Sequence, residues 1–200
     1  KNLAIVVNAT GTWLGISSNN WTDGLNWCGA VPVASTNVFI PAGTPNNPVI
    51  SSLAMANSIS VAAGATLTIN NATLQAGGTI TSNANIIAMD GTLEMNGSSI
   101  QYLEANTFQN NALGSLVVNN NAGVILNGKL DIYGSLTYGS NGYELKTNNL
   151  LTLKSTLANT AWIGNMTGKT IEGDVTVERY IPNHSKAWQF LAVPTTGQTI

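Results

Sequence analysis

Ionisable side chains are scarce in this chain. Seven Lys or Arg and nine Asp or Glu among 200 residues make 8% charged positions, against roughly 25% in an ordinary soluble domain. A net charge of −2 with a single arginine leaves no electropositive footprint, so nucleic acid is not an expected partner. The one cysteine, Cys28, excludes an intramolecular disulfide and a cysteine-based zinc site. No run approaches the ~18 consecutive apolar residues of a membrane-spanning helix, so no membrane insertion is expected. Helical periodicity is missing as well: no window longer than about two turns keeps a 3.6-residue apolar period. Yet 44% of the residues are hydrophobic, which excludes a charge-driven disordered chain.

What fills the chain is uncharged polarity: 27 Asn, 23 Thr, 20 Gly and 15 Ser. These residues are poor in helix interiors and suit strands and corners. Short alternating apolar runs recur at Ile59–Val61, Leu67–Ile69, Leu93–Met95, Leu116–Val118, Val124–Leu126, Leu130–Ile132 and Leu150–Leu153. Gly114-Ser115-Leu116 returns as Gly134-Ser135-Leu136, 20 residues on. At that offset Val118 matches Tyr138 and Leu130 matches Leu150, while Ile59, Ile80 and Ile100 lie 21 and 20 apart. A period near 20 with several short strands per repeat predicts an all-β, right-handed parallel β-helix, a β-solenoid. Ile59, Val61, Leu67, Ile69, Leu116, Val118, Leu130, Leu136 and Leu150 should point inward and stack at about 4.8 Å. Asn at the corners should tolerate left-handed backbone and bond in side-chain ladders. The alternative is a β-sandwich of antiparallel hairpins, for which Asn-Gly turns such as Asn96-Gly97 and Asn127-Gly128 are also a signal.

The ends differ from the middle. Residues 12–57 hold three of the five Trp and four of the six Pro, and residues 171–200 hold the only Arg and the only His. This divides the chain into an N-terminal strand and Trp/Pro-rich cap over 1–57, coils of about 20 residues over 58–170, and the start of a following β module over 171–200. Prolines 32, 41, 45 and 48 lack the amide that would extend a ladder, and three large aromatics suffice to close an open core.

The spacing Trp13-Leu14-Gly15, Trp21, Trp27, Pro32, then Val38-Phe39-Ile40-Pro41 and Pro48-Val49-Ile50 resembles a module of very large secreted surface proteins of Bacteroidetes. There it opens a Gly/Asn/Thr-rich β-helical stretch, as Ala63-Gly64-Ala65-Thr66-Leu67-Thr68-Ile69 does here. The tail Val175–Pro182, followed by Ala187-Trp188 and Pro194, is similar to segments that precede a type IX secretion sorting domain. The resemblance implies a secreted or cell-surface location, outside the outer membrane, flanking modules in the same long chain, and a structural or adhesive role. A surface polysaccharide or another cell-surface component is the partner it points to.

Candidates for chemistry are few. Trp13, Trp21 and Trp27 could stack on sugar rings, the reading under which the chain is a carbohydrate-binding module of a secreted polysaccharide-degrading enzyme; the other role for them is to plug the solenoid end. Asp90 and Glu94 form the closest acidic pair of the repeat region, but Gly91 reads as a turn between them and no base lies near, so solvated acids are expected rather than a catalytic pair. His184 has no second His or Cys with which to share a metal, and Cys28 has no basic neighbour, so a loop histidine and a small buried thiol are expected. No catalytic residue, metal ligand or cofactor site is predicted.

Overall fold

The structure, a computed structural model, describes residues 8–183. Its regular elements are β strands, with one short 3-10 turn at Gly24–Asn26. Every strand ladder is parallel, and the strands stack as a β-solenoid of about seven turns. Antiparallel hairpins, the mark of the sandwich alternative, are not the building unit. A typical coil carries three strands, as in Ile59–Val61, Leu67–Ile69 and Thr73–Ala76. In the third and fourth coils two of the three fuse into the long strands Ile86–Met95 and Phe108–Val118.

Alternation places the apolar residues. Ile59-Ser60-Val61 and Leu67-Thr68-Ile69 each bury their outer two residues and turn the middle one out. Parallel register then stacks like on like: Val38 on Ile59 on Ile80, Leu74 on Leu93 on Leu116 on Leu136, and Val124 on Leu145. The result is one continuous apolar core running along the axis. Eight of the nine residues expected to face inward are buried. The exception is Leu150, which is half-buried, while Leu151 takes the inward place opposite Leu130. The offset is 20 at Val118–Tyr138 but already 21 at Val124–Leu145, so the extra residue enters in the turn between Tyr138 and Glu144, and Leu130 then meets Leu151. Ile100 fails the periodic match in the same way: it is 49% exposed and Gln101 points inward instead.

Two boundaries move. Val38–Ile40 pairs with Ile59–Val61, and Ala54–Ala56 with Thr73–Ala76, so the coils begin at Val38 and not near residue 58. The prolines 41, 45 and 48 do not stop the ladder because they sit between strands, where no ladder amide is required. At the other end Thr170–Glu172 pairs with Glu144–Lys146, and Val175–Val177 with Leu151–Leu153. The segment expected to open a separate module therefore starts as the seventh coil.

The asparagines do less laddering than expected. One cross-coil Asn–Asn pair forms among the described residues, Asn57 Nδ2 donating to Asn37 Oδ1 at 2.8 Å. More often the amide donates to a main-chain carbonyl of the coil before, as Asn85 does to Ala62, Asn120 to Ser99 and Asn148 to Leu126. Gln101 does the largest share of this work. It lies at the edge where the three-stranded ladder ending at Ile80–Thr81 gives way to the four-stranded one starting at Gln101–Leu103. Its Nε2 donates to the carbonyls of Ala76 and Gly78, both at 2.9 Å, and its Oε1 accepts from the Gly97 N–H and from Asn120 Nδ2. A fully bonded buried amide thus joins two coils where backbone pairing is interrupted.

Candidate functional site

The tryptophan segment lies across the first coil. Thr12 bridges Phe39 and Asn20 bridges Val49 in parallel, and the Trp13 N–H donates to the Phe39 carbonyl at 2.8 Å. Trp27 stands edge-on to both neighbours, with ring centroids 4.9 Å from Trp13 and 4.7 Å from Trp21. The Trp13 indole donates to the Asn46 carbonyl and the Trp27 indole to the Trp21 carbonyl, each at 2.7 Å. Asp23 caps the 3-10 turn through the Leu25 N–H. The Ser17 hydroxyl, then that N–H, hold its carboxyl below the usual carboxylate range. Exposures of 0, 1 and 3% for Trp13, Trp21 and Trp27 leave no ring face at the surface. A sugar cannot stack on them, and the glycan-contact reading of these three residues is corrected: their rings are part of the core.

The acidic pair is also placed differently. Gly91 is not a turn; it lies inside the strand Ile86–Met95, where a Cβ would come within 2.6 Å of Ile69 Cβ. Glu94 is not simply solvated: one oxygen accepts from Gln75 Nε2 at 2.8 Å and the other from Asn119 Nδ2 at 2.6 Å, linking three coils. Glu104 accepts from Asn127, Glu172 pairs with Lys146 at 2.9 Å, and Glu178 pairs with Lys154. These four carboxylates bridge one coil to another. Asp90 is exposed and bonds to no side chain among the described residues. Cys28 is half-buried rather than buried, its thiol donating to the Asn8 carbonyl at 3.1 Å. His184 lies outside the described residues, among which no three of His, Cys, Asp and Glu gather as a metal site.

Beside Asp90 runs a trough of about 310 Å³, crossing four coils. Its floor is a column of glycines, Gly91, Gly114 and Gly134, one per coil. Packing requires them: a Cβ on Gly114 would lie 2.5 Å from the Gly91 carbonyl oxygen, and one on Gly134 would lie 2.7 Å from Ser115 Oγ. Without side chains the column leaves a channel, bordered by Met89 and Asp90, by Thr92 and Ser115, and by Tyr133 and the turn Thr156–Asn159. That turn is pinned by Asn159 Nδ2 donating to the Tyr133 carbonyl at 2.8 Å and by the Ser155–Thr160 bridge. A second hollow of about 130 Å³ shares Met89 and continues to Ile87, Gln109 and Asn110.

Outward of the floor, Thr92, Ser115 and Ser135 form a column of hydroxyls, and Trp162 continues it by one coil. Trp162 is 55% exposed. Sequence reasoning missed this site. Its signal was present in Gly91-Thr92-Leu93, Gly114-Ser115-Leu116 and Gly134-Ser135-Leu136, a glycine followed by a hydroxyl in three coils, which marked the coil period without marking a surface.

A parallel β-solenoid with buried tryptophans packed on its first coil and a lateral trough defines the class of protein. The chain belongs to the family described as Domain of unknown function (DUF8693), whose model matches residues 12–171, from the tryptophan segment into the first strand of the seventh coil. No curated protein and no solved structure matches the chain.

Proposed function

We propose that the chain is a non-catalytic structural and adhesive module of a long exported cell-surface protein. The observation that carries this reading is the placement of the acids: Glu94, Glu104, Glu172 and Glu178 each join neighbouring coils, and Asp90 lines the trough without the second carboxylate that hydrolysis uses. Rungs add length at about 4.8 Å each, so few residues carry a contact surface away from a cell. The low charge and the Trp-Trp-Trp-Pro spacing support the exported surface setting, by resemblance to the Bacteroidetes proteins. Antibody against the chain should label intact cells that make the parent protein. Labelling only after permeabilisation overturns the exported reading.

A second reading, a carbohydrate-binding module beside a secreted enzyme, is favoured by the trough rather than by the buried tryptophans. The sequence flanking the chain separates the two: more coils and a sorting domain for the first, an adjoining catalytic domain for the second.

A further inference from the structure

We infer that the trough floored by Gly91, Gly114 and Gly134 is a binding site for an uncharged polysaccharide chain lying along the solenoid axis. The inference deepens the adhesive half of the proposed function and rests on it for its biological setting, though not for its chemistry.

Three polar groups line the trough with their hydrogen-bonding capacity open. The Asp90 carboxylate, the Thr92 hydroxyl and the Tyr133 phenol have no hydrogen-bond partner among the described residues, whereas the neighbouring Ser115 and Asn159 are bound within the protein. Together they offer an acceptor and two groups that both donate and accept, which matches the hydroxyls of a sugar. Exposed Trp162 continues the hydroxyl column and supplies a flat apolar face for a pyranose ring. The volume of about 310 Å³ is at the lower end of ligand sites. Its course over four coils covers roughly 14 Å at the ~4.8 Å strand spacing, which suits a short run of linked sugars better than a single one.

Other occupants fit less well. No Lys, Arg or His lines the trough while Asp90 does, so an acidic polymer meets repulsion without a counter-charge. An extended peptide needs unpaired strand groups, but the floor is already paired, the Gly134 N–H donating to Gly114 and the Gly134 carbonyl accepting from Trp162. Hydrolysis of a bound glycan uses two carboxylates, and one lines this site, so binding without cleavage is the expected outcome.

The test is electrophoresis of the intact chain through gels containing mannan, xylan, β-1,3-glucan or hydroxyethylcellulose, and in parallel alginate or polygalacturonate. At least one uncharged polymer should retard the chain. Asp90→Ala or Trp162→Ala should weaken that retardation about tenfold, roughly the loss of one good contact, and Trp162→Phe should restore part of it. Both residues are exposed, so the thermal midpoint of each variant should match the parent. No retardation by any uncharged polymer overturns the inference, as does retardation unchanged in both alanine variants or stronger with the acidic polymers. Failure here leaves cell-surface labelling intact, while failure of labelling leaves the gel result intact, so the two readings fall separately.

Discussion

The first and the seventh coil are held by different physics. At the first coil three indoles with almost no exposed surface pack edge-on about Trp27, and those of Trp13 and Trp27 donate to main-chain carbonyls. At the seventh coil Ile171 and Val175 are only partly buried, Val177 is 57% exposed, and the side chains that tie it down are charged: Lys146 to Glu172 and Lys154 to Glu178. Aromatic burial is strong and insensitive to salt or pH. Exposed ion pairs are weak, screened and titratable. The first coil is therefore fixed and the seventh loosely latched, and stability should be distributed unevenly along the described coils.

The largest expected effect lies at the first coil. Trp13→Ala removes a fully buried ring and the Asn46 hydrogen bond, and should cost about 3–5 kcal/mol in urea unfolding. A loss under about 1 kcal/mol, within the range of surface substitutions, would show that the cap contributes little to the core. Next comes the internal joint. Gln101→Leu keeps the apolar volume but strands the Gly78 carbonyl and the Gly97 N–H, and takes one of two bonds from the Ala76 carbonyl and from the Asn120 amide. About 3 kcal/mol of destabilisation is expected from unsatisfied buried groups. If the variant is as stable as the parent, the amide is a passenger and the ladder tolerates the interruption unaided.

These two regions also show what a reader of the sequence could see. The solenoid was legible because alternation and the 20-residue repeat are direct consequences of strand pleat and coil stacking, and they place residues such as Leu116 on Leu136 without further information. The Leu130–Leu151 register was not, since an extra residue in the turn between Tyr138 and Glu144 leaves no trace in hydrophobic pattern. Gln101 was hidden for a related reason: a polar residue at an inward position breaks alternation, and its compensation comes from carbonyls more than 20 residues away. The tryptophans were visible as a cluster, yet burial decides between plug and platform, and only packing shows burial. The trough was least legible of all. It arises from the absence of side chains at three stacked glycines, whose neighbours across coils are set by register and not by sequence adjacency.

A smaller effect should follow from cutting the chain after Gly168. This removes the seventh coil, whose strands pair with Glu144–Lys146 and Leu151–Leu153. Loss of the partly buried Ile171 and Val175 should lower stability by about 2 kcal/mol, well short of the Trp13 effect. The newly bared ladder edge should make the truncated chain self-associate, seen as a concentration-dependent sedimentation coefficient. A monomeric truncated chain with an unchanged unfolding midpoint would mean that the sixth coil already ends the rod.

The smallest effect is confined to the latch and depends on pH. The Lys154 ammonium holds the Glu178 carboxyl below its ordinary value of 4.5, and the Glu178 carboxylate holds the Lys154 ammonium above 10.5. A depressed carboxyl stabilises the folded coil above its unfolded value and loses that contribution as pH falls through the folded one. A raised ammonium contributes below its unfolded value and loses it as pH rises through the folded one. The latch is therefore complete between those two ranges and opens first on the acid side as Glu178 protonates. Hydrogen exchange, corrected for intrinsic rate, should show Val175–Val177 and the Glu178 N–H, which donates to Leu153, losing protection at acid pH while Val38–Ile40 keeps its own. Lys154→Ala should reproduce that loss at neutral pH. Equal protection of the two coils at acid pH, or an unchanged seventh coil in Lys154→Ala, would remove the ion pair from the account and leave the weaker coil explained by its partial burial alone.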